Sequence, residues 1–391
     1  MTGATALPET MLTSALESAV LSPREGGHAP PGAVIAIQVG TDSVTAAAGW
    51  ADVRSGEPMV PETFHDLASV SKVLTTTCVL RLLDRGDLRL DTTVGAVLGG
   101  GGPVSDRTVG QLLEHRGGLR PWWPLHLDAE AAGRPLERLL ELPPETAPDL
   151  TRTYSDLGFM LLGAIVARAV DTDFDPAVQE LLLAPLRLDH VIVGGPRIPR
   201  ASAAASGDGD AIERRMVAEG LPYPVPFSGA DFPWRRDPIR GEIQDATAFH
   251  EFAAPAGHAG WFGTIHGMIR LSAALAADPD VHGLWHRETR DRMLQAGTDP
   301  SQALGYRRYP AGTLHPHREL FGHPGFTGSM VAFAPRSDAG PAYAVALATN
   351  RLHGDPAPTR TGLVPVDELM SGVLRRVVET DPRFSIDSKE N

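Results

Sequence analysis

The sequence predicts an α+β fold, in which an antiparallel sheet made from both chain ends carries an inserted, mostly helical region. Three observations lead there. Strand-like stretches occur near the start, in 33–39 and 43–49, and again near the end, in 318–323, 328–335 and 341–349. The long interval between them has helical periodicity, and a further helix lies at each end, over 8–21 and 364–378. Strands, helices, then strands again is the order of a sheet that buries one face against an inserted helical layer. The expected organisation is one domain over 1–391, with a sheet subdomain from 1–80 and 303–391 and a helical subdomain over 81–302.

Each element has a local reason. Leu12, Leu16 and Val20 recur at helical spacing in the first helix. Gly40-Thr41-Asp42 supplies the turn between the first two strands. A helix runs from about Ser71 to Asp84, and Gly86 ends it. Further helices are predicted over 107–115, 129–141, 156–170, 174–184, 263–277 and 285–294. The Ala/Ser/Gly/Asp-rich stretch 199–210 reads as a flexible insertion, and 222–238, bounded by prolines, as an irregular loop.

Composition narrows the function. The formal charge of −13 argues against a nucleic-acid surface, which needs a basic patch. No apolar run has the length of a spanning helix, so no membrane segment is expected. The first ten residues lack the basic and apolar regions of a secretory signal, and a cytoplasmic location is expected. Cys78 is the only cysteine, so no intrachain disulfide can form, and its apolar helical setting predicts a buried, inert thiol. His315-Pro-His317 lacks a third ligand, no His-Glu-x-x-His occurs, and no metal or other cofactor is expected. No motif sets an oligomeric state.

Lysine usage marks the chemistry. The chain has two lysines, Lys72 and Lys389, and arginine supplies the other basic charge. Lys72 follows Ser69 by three residues at a helix start, where both side chains share one face and could exchange a proton. A desolvated lysine can act as a base, which arginine cannot do. The alternative is a capping serine followed by a lysine that only packs its stem.

Two further segments carry chemistry-bearing residues. Tyr154-Ser155-Asp156 opens an apolar helix, where a tyrosine commonly packs and an aspartate commonly caps. Phe321-Gly-His323-Pro-Gly325-Phe-Thr-Gly328 lies on a predicted strand and turn, where a glycine admits close backbone approach to a ligand.

Taken in order, Ser69-Val-Ser-Lys72, Tyr154-Ser-Asp156 and His323-Pro-Gly325 resemble the Ser-x-x-Lys, Tyr-x-Asn and Lys-Thr-Gly or His-x-Gly elements of the serine β-lactamase-like superfamily. That group includes class C β-lactamases, D-alanyl-D-alanine carboxypeptidases, and related esterases and acyltransferases. Leu112-Leu-Glu-His-Arg-Gly-Gly-Leu119 and Gly257-His-Ala-Gly-Trp-Phe-Gly263 are similar to further segments of the group, and the resemblance spans about 30–375. It implies a β-lactamase/transpeptidase-like fold and an acyl-enzyme on Ser69. Lys72 and Tyr154 would share the proton transfers, either of them being the base. The N–H groups of Ser69 and Phe326 would form the oxyanion hole, with His323, Gly325 and Asp156 orienting the substrate.

The departures from the pattern matter too. Asp156 replaces an asparagine, so it can accept but not donate when ionised; it would pair with Lys72 or cap its helix. Pro324 replaces a threonine, and His323 replaces a lysine with a cation that depends on pH. These losses argue against efficient β-lactam turnover. Trp122, Trp123, Trp234 and Trp261 are candidates for an aromatic pocket wall.

The resulting expectation is a serine hydrolase for a small ester or amide. The alternative is an acyltransferase that passes the acyl group to a small amine or alcohol in natural-product biosynthesis. A non-catalytic binding relative and a true β-lactamase rank below both.

Overall fold

A computed structural model describes residues 8–22, 27–195, 198–279, 284–337, 340–354 and 358–380; Lys389 and the first seven residues lie outside them. A seven-stranded antiparallel sheet runs in the order Glu57–Pro58, Asp42–Asp52, Gly32–Val39, Tyr343–Thr349, Met330–Ala334, Leu320–Pro324, Arg307–Tyr309. Both chain ends contribute to it, and Gly32–Val39 pairs directly with Tyr343–Thr349 at its centre. The five predicted strands are all present. The two edge strands, Glu57–Pro58 and Arg307–Tyr309, are too short for a periodic signal.

Alternation along the central strands divides the core. Ala33, Ile35 and Ile37 face the terminal helices Glu9–Leu16 and Val366–Thr380, packing among Leu12, Leu16, Leu369, Val373 and Val377. Val34 and Ala36 face the other way, into the larger core shared with the Ser71–Arg85 helix. A two-residue period thus presents one strand to two helical layers.

The helix Ile265–Ala276 lies on the sheet, with Ser272 Oγ donating to Val345 O at 3.4 Å. Two small sheets lie apart from the main one. His65–Asp66 pairs with Trp261–Gly263, which pairs with Ile192–Gly194. Ala205–Asp208 pairs with Pro238–Arg240. The stretch 199–210 is therefore no flexible insertion: Ala203, Ala204, Ala205 and Ser206 are buried, their small side chains serving close packing rather than freedom. A helix at Ala211–Glu219, absent from the sequence expectation, follows it.

Candidate active site

Ser69 stands in the single turn Ala68–Val70 that leads into the Ser71–Arg85 helix. The residue before it, Ala68, has φ +43°, a region sparsely populated by residues with a Cβ. Asp66 holds that turn: Oδ1 accepts from Ala68 N at 2.7 Å, and Oδ2 accepts from Gln244 N at 2.7 Å. Burial pushes the Asp66 carboxyl up to about 6, against the pull of those two amide bonds.

One turn further on, Lys72 is fully buried. Its Nζ lies 2.9 Å from Ser69 Oγ, 2.7 Å from Asp156 Oδ1 and 3.3 Å from the carbonyl of His258. Burial works against the ammonium, but Asp156 and then Tyr154 outweigh it and hold Lys72 above its ordinary range. Lys72 is therefore charged at rest.

Asp156 is the first residue of the Asp156–Ala169 helix, and Ser155 is its cap, accepting from Gly158 N at 3.3 Å. This removes the capping alternative for Asp156 and leaves its carboxylate to Lys72. The helix is brought close by two glycines: a Cβ on Gly163 would sit 2.8 Å from Gly257 Cα. Thr75 Oγ1 donates to Gly257 O at 2.7 Å, so the same segment is tied to the lysine helix.

Tyr154 packs against His115 with ring centroids 4.6 Å apart and planes tilted by 42°, and His115 Nδ1 accepts from Ser155 N at 3.2 Å. Lys72 Nζ lies 5.0 Å from the centroid of the tyrosine ring. The Leu112–Leu119 turn thus holds Tyr154 beside Lys72.

The loop after Leu320–Pro324 is pinned to the segment before Ser69. Thr327 Oγ1 donates to Asp66 O at 2.7 Å, and Ser329 Oγ donates to Leu67 O at 2.8 Å. Gly325 permits this approach, because a Cβ there would fall on Ser329 Oγ and lie 2.5 Å from Leu67 O. Phe326 follows, with its carbonyl accepting from Arg351 Nε at 3.0 Å. Among the described residues its N–H has no partner.

Ser69, Tyr154, Asp156 and Phe326 line one cavity of about 220 Å³, with Trp122, Ile212, Glu213, Met216, Tyr223, Gln244, Asp245 and Thr327. Three expectations need correction. Of the four tryptophans, only Trp122 lines it. Trp123 is buried against Phe227 with its indole N–H on Asp128, Trp234 donates to Gly229 O, and Trp261 is fully enclosed in the core. His323 is 2 % exposed and absent from the wall; its Nδ1–H donates to Pro324 O at 2.8 Å. Nor does it replace a lysine's charge, because burial, Arg307 and Lys72 hold its imidazole well below the usual range and neutral.

Sequence reasoning missed Asp66, Thr327, Ser329, His115, Glu213 and Asp245. Asp66 and His115 stood inside segments already singled out, whereas Glu213 and Asp245 belong to stretches with no motif. Asp245 accepts from Ala248 N at 2.8 Å and lies 3.1 Å from His258 Nε2.

Comparison with known proteins shows the family. The Beta-lactamase family model matches residues 18–365. The chain is 27% identical to an N-acetylmuramyl-L-alanine amidase of Bacillus subtilis (strain 168), over 83% of this chain and 78% of that protein. It is 31% identical to Esterase EstB of Burkholderia gladioli, over 60% of this chain and 62% of the esterase. The D-amino acid amidase from Ochrobactrum anthropi SV3, solved with D-phenylalanine, has the same fold, with a TM-score of 0.69 and 19% identity over 95% of this chain and 99% of that one. With a family model covering most of its length and amidases and esterases among its relatives, the chain belongs to the Beta-lactamase family and is a serine hydrolase of that superfamily.

Proposed function

We propose that the protein cleaves a small ester or amide through an acyl-enzyme on Ser69. The observation that carries this reading is the 2.9 Å approach of Lys72 Nζ to Ser69 Oγ at the wall of a cavity. Ser69 Oγ bonds to the substrate carbonyl carbon while its proton passes to the Tyr154 oxygen and the phenol's own proton passes on to the leaving group. What supports Tyr154 as acceptor is that Lys72 carries its proton at rest, held by Asp156. The Lys72 ammonium then faces the developing alkoxide as a charge rather than a base.

The tetrahedral oxyanion lies between the N–H groups of Ser69 and Phe326. Collapse breaks the bond to the leaving alcohol or amine, which departs with the proton from Tyr154. Water attacks the acyl-enzyme by the same route, releasing the acid and returning the proton to Ser69.

The test is partition of the acyl group. The protein is incubated with p-nitrophenyl esters alone and with added amines or alcohols, and the acyl products are separated. Free acid as the main product in every mixture supports hydrolysis. Transfer to an acceptor in preference to water would replace this reading with the acyltransferase one.

A further inference from the structure

The carboxylates around the Ser69 cavity differ in one respect. Asp156 has Lys72 at 2.7 Å, and Asp245 has His258 at 3.1 Å. Asp210 has Arg235 at 2.7 Å and His250 at 3.2 Å. Glu213, on the Ala211–Glu219 helix, has no cation among the described residues. Its Oε1 accepts from Trp122 Nε1 at 3.2 Å and its Oε2 accepts from Ala246 N at 3.1 Å, and both donors are neutral. Yet Glu213 lies on the wall of the cavity that Ser69 opens into, flanked by Ile212 and Met216. The basic residues of its helix, Arg214 and Arg215, line a separate cleft, and Arg360, the arginine on the wall of the Ser69 cavity, makes no ion pair with Glu213 among the described residues.

We propose that Glu213 is a specificity-determining residue that receives an ammonium group of the substrate, so that the acyl group carried to Ser69 bears a free amine beside an apolar side group. This inference rests on the acyl-enzyme reading above. Each carboxylate oxygen has acceptor capacity beyond the single donor it now has, which leaves room for ammonium N–H groups. The apolar surface of Met216, Tyr223 and Phe326 suits the side group.

The resting charge fits the same role. Burial, with Asp245 and Asp210 nearby, holds the Glu213 carboxyl well above the usual carboxylate range. A bound ammonium would favour the carboxylate and lower it again. The groups that surround Glu213 are Asp245 with His258, and Asp210 with Arg235 and His250. His126 lies behind them, 5.7 Å from His250, kept neutral by burial, which lowers it to about 4.

The test uses the full chain with phenylalanine methyl ester, in both configurations, and the N-acetyl counterparts, in wild type and Glu213→Gln. Wild type should prefer the free amine by about ten-fold or more in kcat/KM, the difference lying in KM. Glu213→Gln should bring the ratio of the two esters close to one.

Equal use of both esters by wild type, or a preference that survives Glu213→Gln, would overturn the inference and leave the acyl-enzyme reading standing. Failure of every ester to acylate Ser69 would overturn both.

Discussion

Asp156 Oδ1 lies 2.7 Å from Lys72 Nζ, so the one lysine beside the nucleophile is a paired ammonium in the resting protein. The lysine is fully buried and the aspartate one-fifth exposed, which makes Asp156 the reachable partner of a charge that solvent cannot stabilise. An asparagine there would leave the ammonium with amide and carbonyl dipoles alone.

Asp156→Asn should therefore weaken Lys72's hold on its proton. Burial then dominates, and the loss of activity at high pH that follows Lys72 deprotonation should move to lower pH. Stability should fall by about 3 kcal/mol at neutral pH, from the unpaired buried charge. A pH–rate profile and a denaturant titration check the two effects; an unmoved profile would contradict the ion pair's role.

Gly325→Ala should damage acylation while sparing the sheet. The new Cβ must displace Ser329 Oγ or the Leu67 carbonyl, and either shift moves the Phe326 amide away from Ser69. A loss of about 100-fold in kcat/KM on an ester, with an unchanged far-ultraviolet spectrum, is the expected result.

Cys78 should resist alkylation in the native protein. It is fully buried in the Ser71–Arg85 helix, and burial pushes its thiol up to about 12. Iodoacetamide should label it only after denaturation.

Acid should destabilise the fold well before the carboxylates titrate normally. Burial lowers His65, His126 and His315 to about 4, so each stays neutral in the folded chain while the unfolded chain binds a proton from about pH 6.5 downward. Their contribution is complete above that point and is lost as pH falls toward 4, on the order of 3 kcal/mol for a fully buried one such as His65. Asp66 and Glu213, both raised by burial, run the other way, while His115 and His323, both lowered by burial, add to the histidine effect. Denaturation midpoints measured from pH 7.5 to 4.5 should fall steadily.

Much of this site could be read from residue order. Lysine scarcity pointed to Lys72, and Gly86, with φ +80°, ends its helix where expected. The glycine at 325 was legible as a close approach, but not what it approaches: the Leu67 carbonyl is far away in sequence and has no signature. Asp156 was ambiguous because a carboxylate at a helix start satisfies a cap and an ion pair equally well, and only the Ser155 hydroxyl decides between them. The tryptophans misled for a related reason, since an indole suits a pocket wall and a core alike. Glu213 and Asp245 carried no pattern, because they meet through the packing of a helix and a loop rather than through spacing.

The measurement that bears most directly on the central claim is intact-protein mass after exposure to a p-nitrophenyl ester series, comparing wild type with Ser69→Ala. The account predicts a single acyl adduct on wild type that decays in water and never forms on the variant. A folded wild-type protein that takes up no acyl group from any ester, or an adduct that persists in Ser69→Ala, would contradict it.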